Sequence, residues 1–89
     1  MKVSNLINSK GNVVKNQFVI KDSGAEYFQS YDSIIAKKVY GENRRVFLDE
    51  RYWNYSVTTS RHRNTFLNET TKETQAKIDS GQYILCNLN

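Results

Sequence analysis

Tyr52-Trp53-Asn54-Tyr55-Ser56-Val57-Thr58-Thr59-Ser60-Arg61-His62-Arg63-Asn64-Thr65-Phe66-Leu67 decides how this chain folds. It holds the only Trp and the only His, and it changes character twice: aromatic at its start, hydroxyl-rich in the middle, basic and then apolar at its end. Ser and Thr cap helices by accepting from a backbone N–H of the first turn, so Ser56 or Thr58 is the expected N-cap of a helix running toward Leu67. Helical spacing then places Tyr55, Thr59, His62 and Phe66 on one face, which is expected to point inward. On a helix turning about 100° per residue, Arg61 and Arg63 lie about 200° apart and cannot share a ligand, whereas Arg61 with Asn64, or Thr58 with Arg61, can. First-turn amides ringed by hydroxyls make an anion seat at Ser56 to Thr59.

Upstream of this stretch the chain reads as strands. Val3 to Ile7 is followed by the turn chemistry of Asn8-Ser9-Lys10-Gly11-Asn12, then by Val13-Val14 and Gln17-Phe18-Val19-Ile20. Lys21-Asp22-Ser23-Gly24 turns again. Ala25 to Tyr40 is rich in aromatic and branched residues but too long for an ordinary strand of about 5–6 residues, so a bend or bulge is expected near Asp32-Ser33. Alternation places Asp32 with Phe28, Ser30 and Ile34, where a partly buried carboxylate would need a partner. Gly41-Glu42-Asn43 returns the chain to Arg44-Arg45-Val46-Phe47-Leu48, so Lys37, Lys38, Arg44 and Arg45 meet around one hairpin. Successive strand side chains alternate faces, which splits each basic pair.

Downstream, Thr70 with Glu73 three residues later is a capping box opening a second short helix, and Ser80-Gly81 is its stop. Tyr83-Ile84-Leu85-Cys86-Asn87-Leu88 has apolar residues of both parities and reads as a central strand covered on both sides. The expected fold is a single α+β domain over residues 1–89: an antiparallel meander of about four to five strands, with two short helices inserted before a C-terminal strand.

Eighty-nine residues allow one modest core and leave a homo-oligomer open. Six Tyr, four Phe and one Trp supply the bulk that scarce aliphatics do not. A net charge of +4 favours anionic partners and argues against an acidic nucleic-acid mimic. The single cysteine, Cys86, excludes an internal disulfide and is expected to be a buried thiol in a reducing compartment. No apolar run is long enough for membrane insertion, and no secretory leader is evident.

Chemistry-bearing patterns are sparse. One His and one Cys do not make a zinc site, so no metal is expected. No glycine-rich phosphate loop is present and no cofactor is implied. His62 is read as structural, bonded to a backbone carbonyl or a tyrosine hydroxyl, and the carboxylates show no pairing suited to acid–base work. That leaves binding. Aromatics beside Arg and Lys can stack bases while the cations hold phosphates.

Three segments, Asn16-Gln17-Phe18-Val19-Ile20, Tyr27-Phe28-Gln29-Ser30-Tyr31-Asp32-Ser33-Ile34-Ile35-Ala36 and Tyr52 to Leu67, together resemble a group of small, uncharacterised bacteriophage proteins. The similarity spans most of the chain. It implies a phage protein made in the host bacterial cytoplasm, and it carries no activity over, because the group has no assigned mechanism. The expectation is a non-enzymatic accessory protein that antagonises host defence. It would bind a nucleotide signal or nucleic acid through Ser56, Thr58, Arg61, Arg63, Asn64, Lys37, Lys38, Arg44 and Arg45. The alternative is an inhibitor of a host or defence protein, with no nucleotide ligand.

Overall fold

Alternating apolar residues carry Lys2–Ile7 (β1), Val13–Asp22 (β2), Ala25–Ser30 (β3), Ser33–Val39 (β4) and Arg45–Asp49 (β5) into an antiparallel meander, described over residues 1–89 by a computed structural model. Two helices follow, Val57–Leu67 (α1) and Thr71–Asp79 (α2), and Tyr83–Cys86 (β6) closes the sheet in the order β1-β2-β3-β4-β5-β6. β6 runs parallel to β5. Parallel neighbours need a long crossover, and the helix pair supplies it. The architecture is the α+β arrangement expected from the sequence.

Two strand expectations are corrected. Residues 25 to 40 form a hairpin, β3 and β4, and not one bent strand; Tyr31 turns the chain in the left-handed region at φ 56°. Asp32 sits in that turn and is exposed, so it is no buried carboxylate. A bulge does occur in the hairpin, where Phe28 pairs with Ala36 but Gln29 pairs with Ile34. β6, in turn, lies at the sheet edge with β5 as its only neighbour. Its two-sided pattern reflects Tyr83 facing the helices and Ile84 facing away, and its Cys86 is half-buried rather than buried.

The core lies between the sheet and the helices: Leu6, Phe28, Ile35, Ala36, Leu48, Phe66 and Tyr83. Phe66 stacks on Phe28 with ring centroids 5.7 Å apart, and the Thr59 and Ser30 hydroxyls share a hydrogen bond of 3.2 Å. These contacts fasten α1 to β3. Lys38 completes the joint, its Nζ donating to the Phe66 carbonyl at 3.1 Å in the last turn of α1 while lying over the Phe66 ring.

The inward face of α1 is Thr59, Ser60, Arg63 and Phe66, which corrects the expected register. Ser56 is the N-cap, with extended backbone (φ −147°, ψ 153°), so Tyr55 precedes the helix and is exposed. The buried stripe then follows i, i+4 and i+3 from Thr59 through Arg63 to Phe66. His62 lies one position off that stripe, half-buried, and its side chain makes no hydrogen bond, against the expected structural pairing.

The capping box of α2 forms as read: Glu73 N–H donates to Thr70 Oγ1 and Thr70 N–H to Glu73 Oε1. Glu69, just before it, accepts from Lys77 at 2.8 Å and from the Tyr83 hydroxyl at 2.6 Å, tying α2 to β6. Burial pushes the Glu69 carboxyl up, but Lys77, Thr74 and Tyr83 outweigh it and hold it below its ordinary value. Burial and the bond to Glu69 together raise Tyr83 to about 12. No helix is long and apolar enough to cross a membrane.

Candidate functional site

The loop between β5 and α1 is set by one carboxylate. Asp49 is buried and accepts from the N–H groups of Arg51 and Tyr52 at 3.1 and 2.9 Å, while Leu88 N–H and Asn89 Nδ2 donate to its other oxygen at 2.9 and 3.0 Å. The chain is thereby curled so that the Trp53 carbonyl faces α1.

Arg63 meets it there. Its guanidinium lies 5.0 Å from the Trp53 ring; Nη1 donates to the Trp53 carbonyl, and Nη2 donates to Asn64 Oδ1 at 3.0 Å and to Thr71 Oγ1 at 2.9 Å. Arg63 is 0% exposed, and no carboxylate is bonded to it. Its Nε is buried without a partner. Burial lowers the Arg63 pKa from its ordinary value, with Glu69 opposing the shift, yet an arginine remains charged in proteins.

Above this cation opens a cleft of about 420 Å³ lined by Asn54, Tyr55, Ser56, Val57, Ser60, Arg61, Asn64 and Thr71. No carboxylate lines it. Ser60, Asn64 and Thr71 form its floor and are also the groups the buried guanidinium bonds, with Ser60 Oγ at a longer 3.4 Å. Ser56 Oγ caps the helix by accepting from Thr59 N–H at 3.1 Å, which leaves the earlier first-turn amides unbonded at the rim. Helix-terminus charge, exposed Arg61 and buried Arg63 therefore all favour an anion here.

Arg61 also borders a second opening with Asn8, Ser9, Lys10, His62 and Thr65, again without a carboxylate. Burial, and then the Arg61 charge, lower the His62 pKa from its ordinary 6.5.

Of the nine residues expected to bind, the fold unites Ser56, Arg61 and Asn64 in this cleft and sets Arg63 directly beneath it. Thr58 is exposed outside the lining. Lys38, Arg44 and Arg45 line a separate cleft of about 230 Å³ with Tyr40, Gln82 and Tyr83. Two of the three cations there are occupied: Lys38 caps α1, and Arg44 stacks on Tyr40, whose hydroxyl donates to Glu26 and whose pKa is thereby pushed up to about 12. Lys37 lies on the opposite face of the sheet. The basic residues thus do not form one stripe. Sequence reasoning missed Asn54, Tyr55, Ser60 and Thr71 as lining groups; the signal for Thr71 was its place just inside the second capping box.

Residues 1–82 match the model of a family of unknown function, DUF8033, and the chain belongs to that family. No curated protein and no solved structure is detectably similar to it.

Proposed function

We propose that this is a non-enzymatic phage accessory protein of the host bacterial cytoplasm, antagonising host defence by holding an anionic ligand in the α1 cleft. The ligand is a nucleotide signal or a nucleic-acid phosphate. The observation that carries this reading is Arg63, a buried guanidinium with no carboxylate partner, under a floor of Ser60, Asn64 and Thr71 and beside exposed Arg61. Burying a cation with no carboxylate bonded to it is costly, and a bound anion above it offsets that cost. Tyr55 at the rim offers a ring for a base. The phage setting and the defence role rest on the resemblance of the three sequence segments.

Calorimetric titration and native mass spectrometry with a nucleoside triphosphate, a cyclic dinucleotide and inorganic phosphate test it. Retention that weakens with salt and is lost in Arg61→Ala supports the reading. Failure to bind any of these probes, at low salt as at high, supports instead an inhibitor of a host protein whose cations only solubilise it.

A further inference from the structure

The sheet face turned away from the helices carries a row that crosses all six strands. Val3 pairs with Ile20, Ile20 with Tyr27, Tyr27 with Lys37, Lys37 with Phe47, and Phe47 with Ile84. At about 4.8 Å between strands the row is about 24 Å long. None of its five apolar residues belongs to the core cluster or packs against it. Both helices lie on the other side, where Phe28, Ser30 and Tyr83 receive them. Of the row's apolar residues Val3 is exposed, and Ile20, Tyr27, Phe47 and Ile84 are half-buried.

Its centre is charged. The Lys37 ammonium lies 5.2 Å from the Tyr27 ring and 6.0 Å from the Phe47 ring. Arg45 shares this face two residues before Phe47 and is exposed, and Phe18 adds a third aromatic in the next row. Carboxylates are few here. Asp22 stands at the β2–β3 corner, accepting from Ser23 N–H, and Asp49 is consumed by its loop.

These charges select the occupant. An apolar partner would bury the Lys37 ammonium unpaired, and a second copy laid face to face would add cations with only the corner carboxylate of Asp22 to meet them. Phosphates satisfy Lys37 and Arg45, and bases satisfy the rings, since every base has a π-face. The two amides that could read base edges are already committed: Gln29 Nε2 donates to the Tyr31 carbonyl and Asn5 Nδ2 to the Val14 carbonyl. We propose that this face is a sequence-tolerant platform for single-stranded nucleic acid, with bases stacked on Tyr27 and Phe47 and phosphates held by Lys37 and Arg45. It stands independently of the α1 cleft.

Fluorescence anisotropy with a labelled oligo-dT of about 16 nucleotides, a mixed-sequence single strand and the matching duplex tests it. Both single strands are expected to bind more tightly than the duplex. Phe47→Leu and Tyr27→Leu keep apolar bulk but lose the π-face, and each is expected to weaken oligo-dT binding roughly tenfold or more with an unchanged circular dichroism spectrum. Lys37→Ala lowers the slope of log affinity against log salt by about 0.7, the share of one phosphate contact. Phe47→Leu and Tyr27→Leu, remote from the cleft, leave nucleoside triphosphate binding there unchanged, so the two readings fail separately. The proposal is overturned if no single strand binds at low salt, if the duplex binds as tightly, or if the leucine variants bind like the parent. Leucine variants that bind normally would mark the face as a protein-docking surface instead.

Discussion

Arg63 Nη2 and Asn64 Nδ2 converge on one atom, the Thr71 hydroxyl oxygen, at 2.9 and 3.1 Å, so two consecutive residues of α1 hold the first residue of α2. The link between the helices is thus a cation and an amide on a hydroxyl, with no carboxylate in it. That places the charge of Arg63 at the service of stability and of the cleft together.

Removing that side chain should show both roles. Arg63→Ala leaves the Trp53 carbonyl without its donor and Thr71 with the Asn64 amide alone, opens a void, and is expected to cost about 2–4 kcal/mol in urea unfolding. Arg61→Ala, at an exposed position, should change stability by no more than about 0.5 kcal/mol while removing anion binding. Equal stability losses in the two variants would contradict the assignment of one buried and one ligand-facing arginine.

Phe66→Ala should be the more damaging core change in α1. The ring is buried against Phe28 and lies under the Lys38 ammonium, so its loss is expected to cost about 3–5 kcal/mol. Thermal melting of the variant reads this directly, and a loss under about 1 kcal/mol would show that α1 is not anchored there.

Acid should weaken the fold through Asp49. Burial raises its pKa, but the N–H bonds from Leu88, Asn89, Tyr52 and Arg51 outweigh burial and hold it below its ordinary 3.8. A carboxyl whose folded value lies below its unfolded one stabilises above the unfolded value and loses that contribution as pH falls through the folded value. Glu69 behaves the same way from its ordinary 4.5. His62, held below its ordinary 6.5, adds an earlier and smaller decline as it is forced to charge. Unfolding free energy measured against pH should therefore begin to fall below about 6.5 and fall more steeply below about 4. Asp49→Asn should cost about 1–3 kcal/mol at neutral pH and flatten the acid limb. An unchanged acid limb would remove Asp49 from this account.

The meander, both helix caps and the terminal strand were legible because their signals are local. Ser23-Gly24, Thr70 with Glu73, and Ser80-Gly81 each name a turn, a start or a stop by chemistry alone. The turn at Tyr31-Asp32 was not, since an aromatic residue in the left-handed region carries no turn signal and strand alternation reads straight through it. The burial of Arg63 was hidden for a different reason. Its position follows from where Ser56 starts the helix, but its tolerance of the interior depends on the Trp53 carbonyl, which Asp49 delivers from across a loop. The cleft was half legible: Ser56, Arg61 and Asn64 are close in sequence, whereas Asn54 and Thr71 join them only through tertiary contacts. Lys37 and Lys38 show the limit of reading a charge pair, because one caps a helix and the other sits among aromatics on the far face.

The most direct measurement is a nitrogen–proton correlation spectrum of the labelled protein titrated with a nucleoside triphosphate, read at the Arg63 Nε–H and at the amides of Val57, Ser60, Arg61, Asn64 and Thr71. A bound anion in the α1 cleft is predicted to shift these signals together and saturably, with the Arg63 Nε–H responding because it lies unpartnered beneath the floor. Signals that stay fixed there, or shifts confined to Lys38, Arg44 and Arg45, would contradict the account.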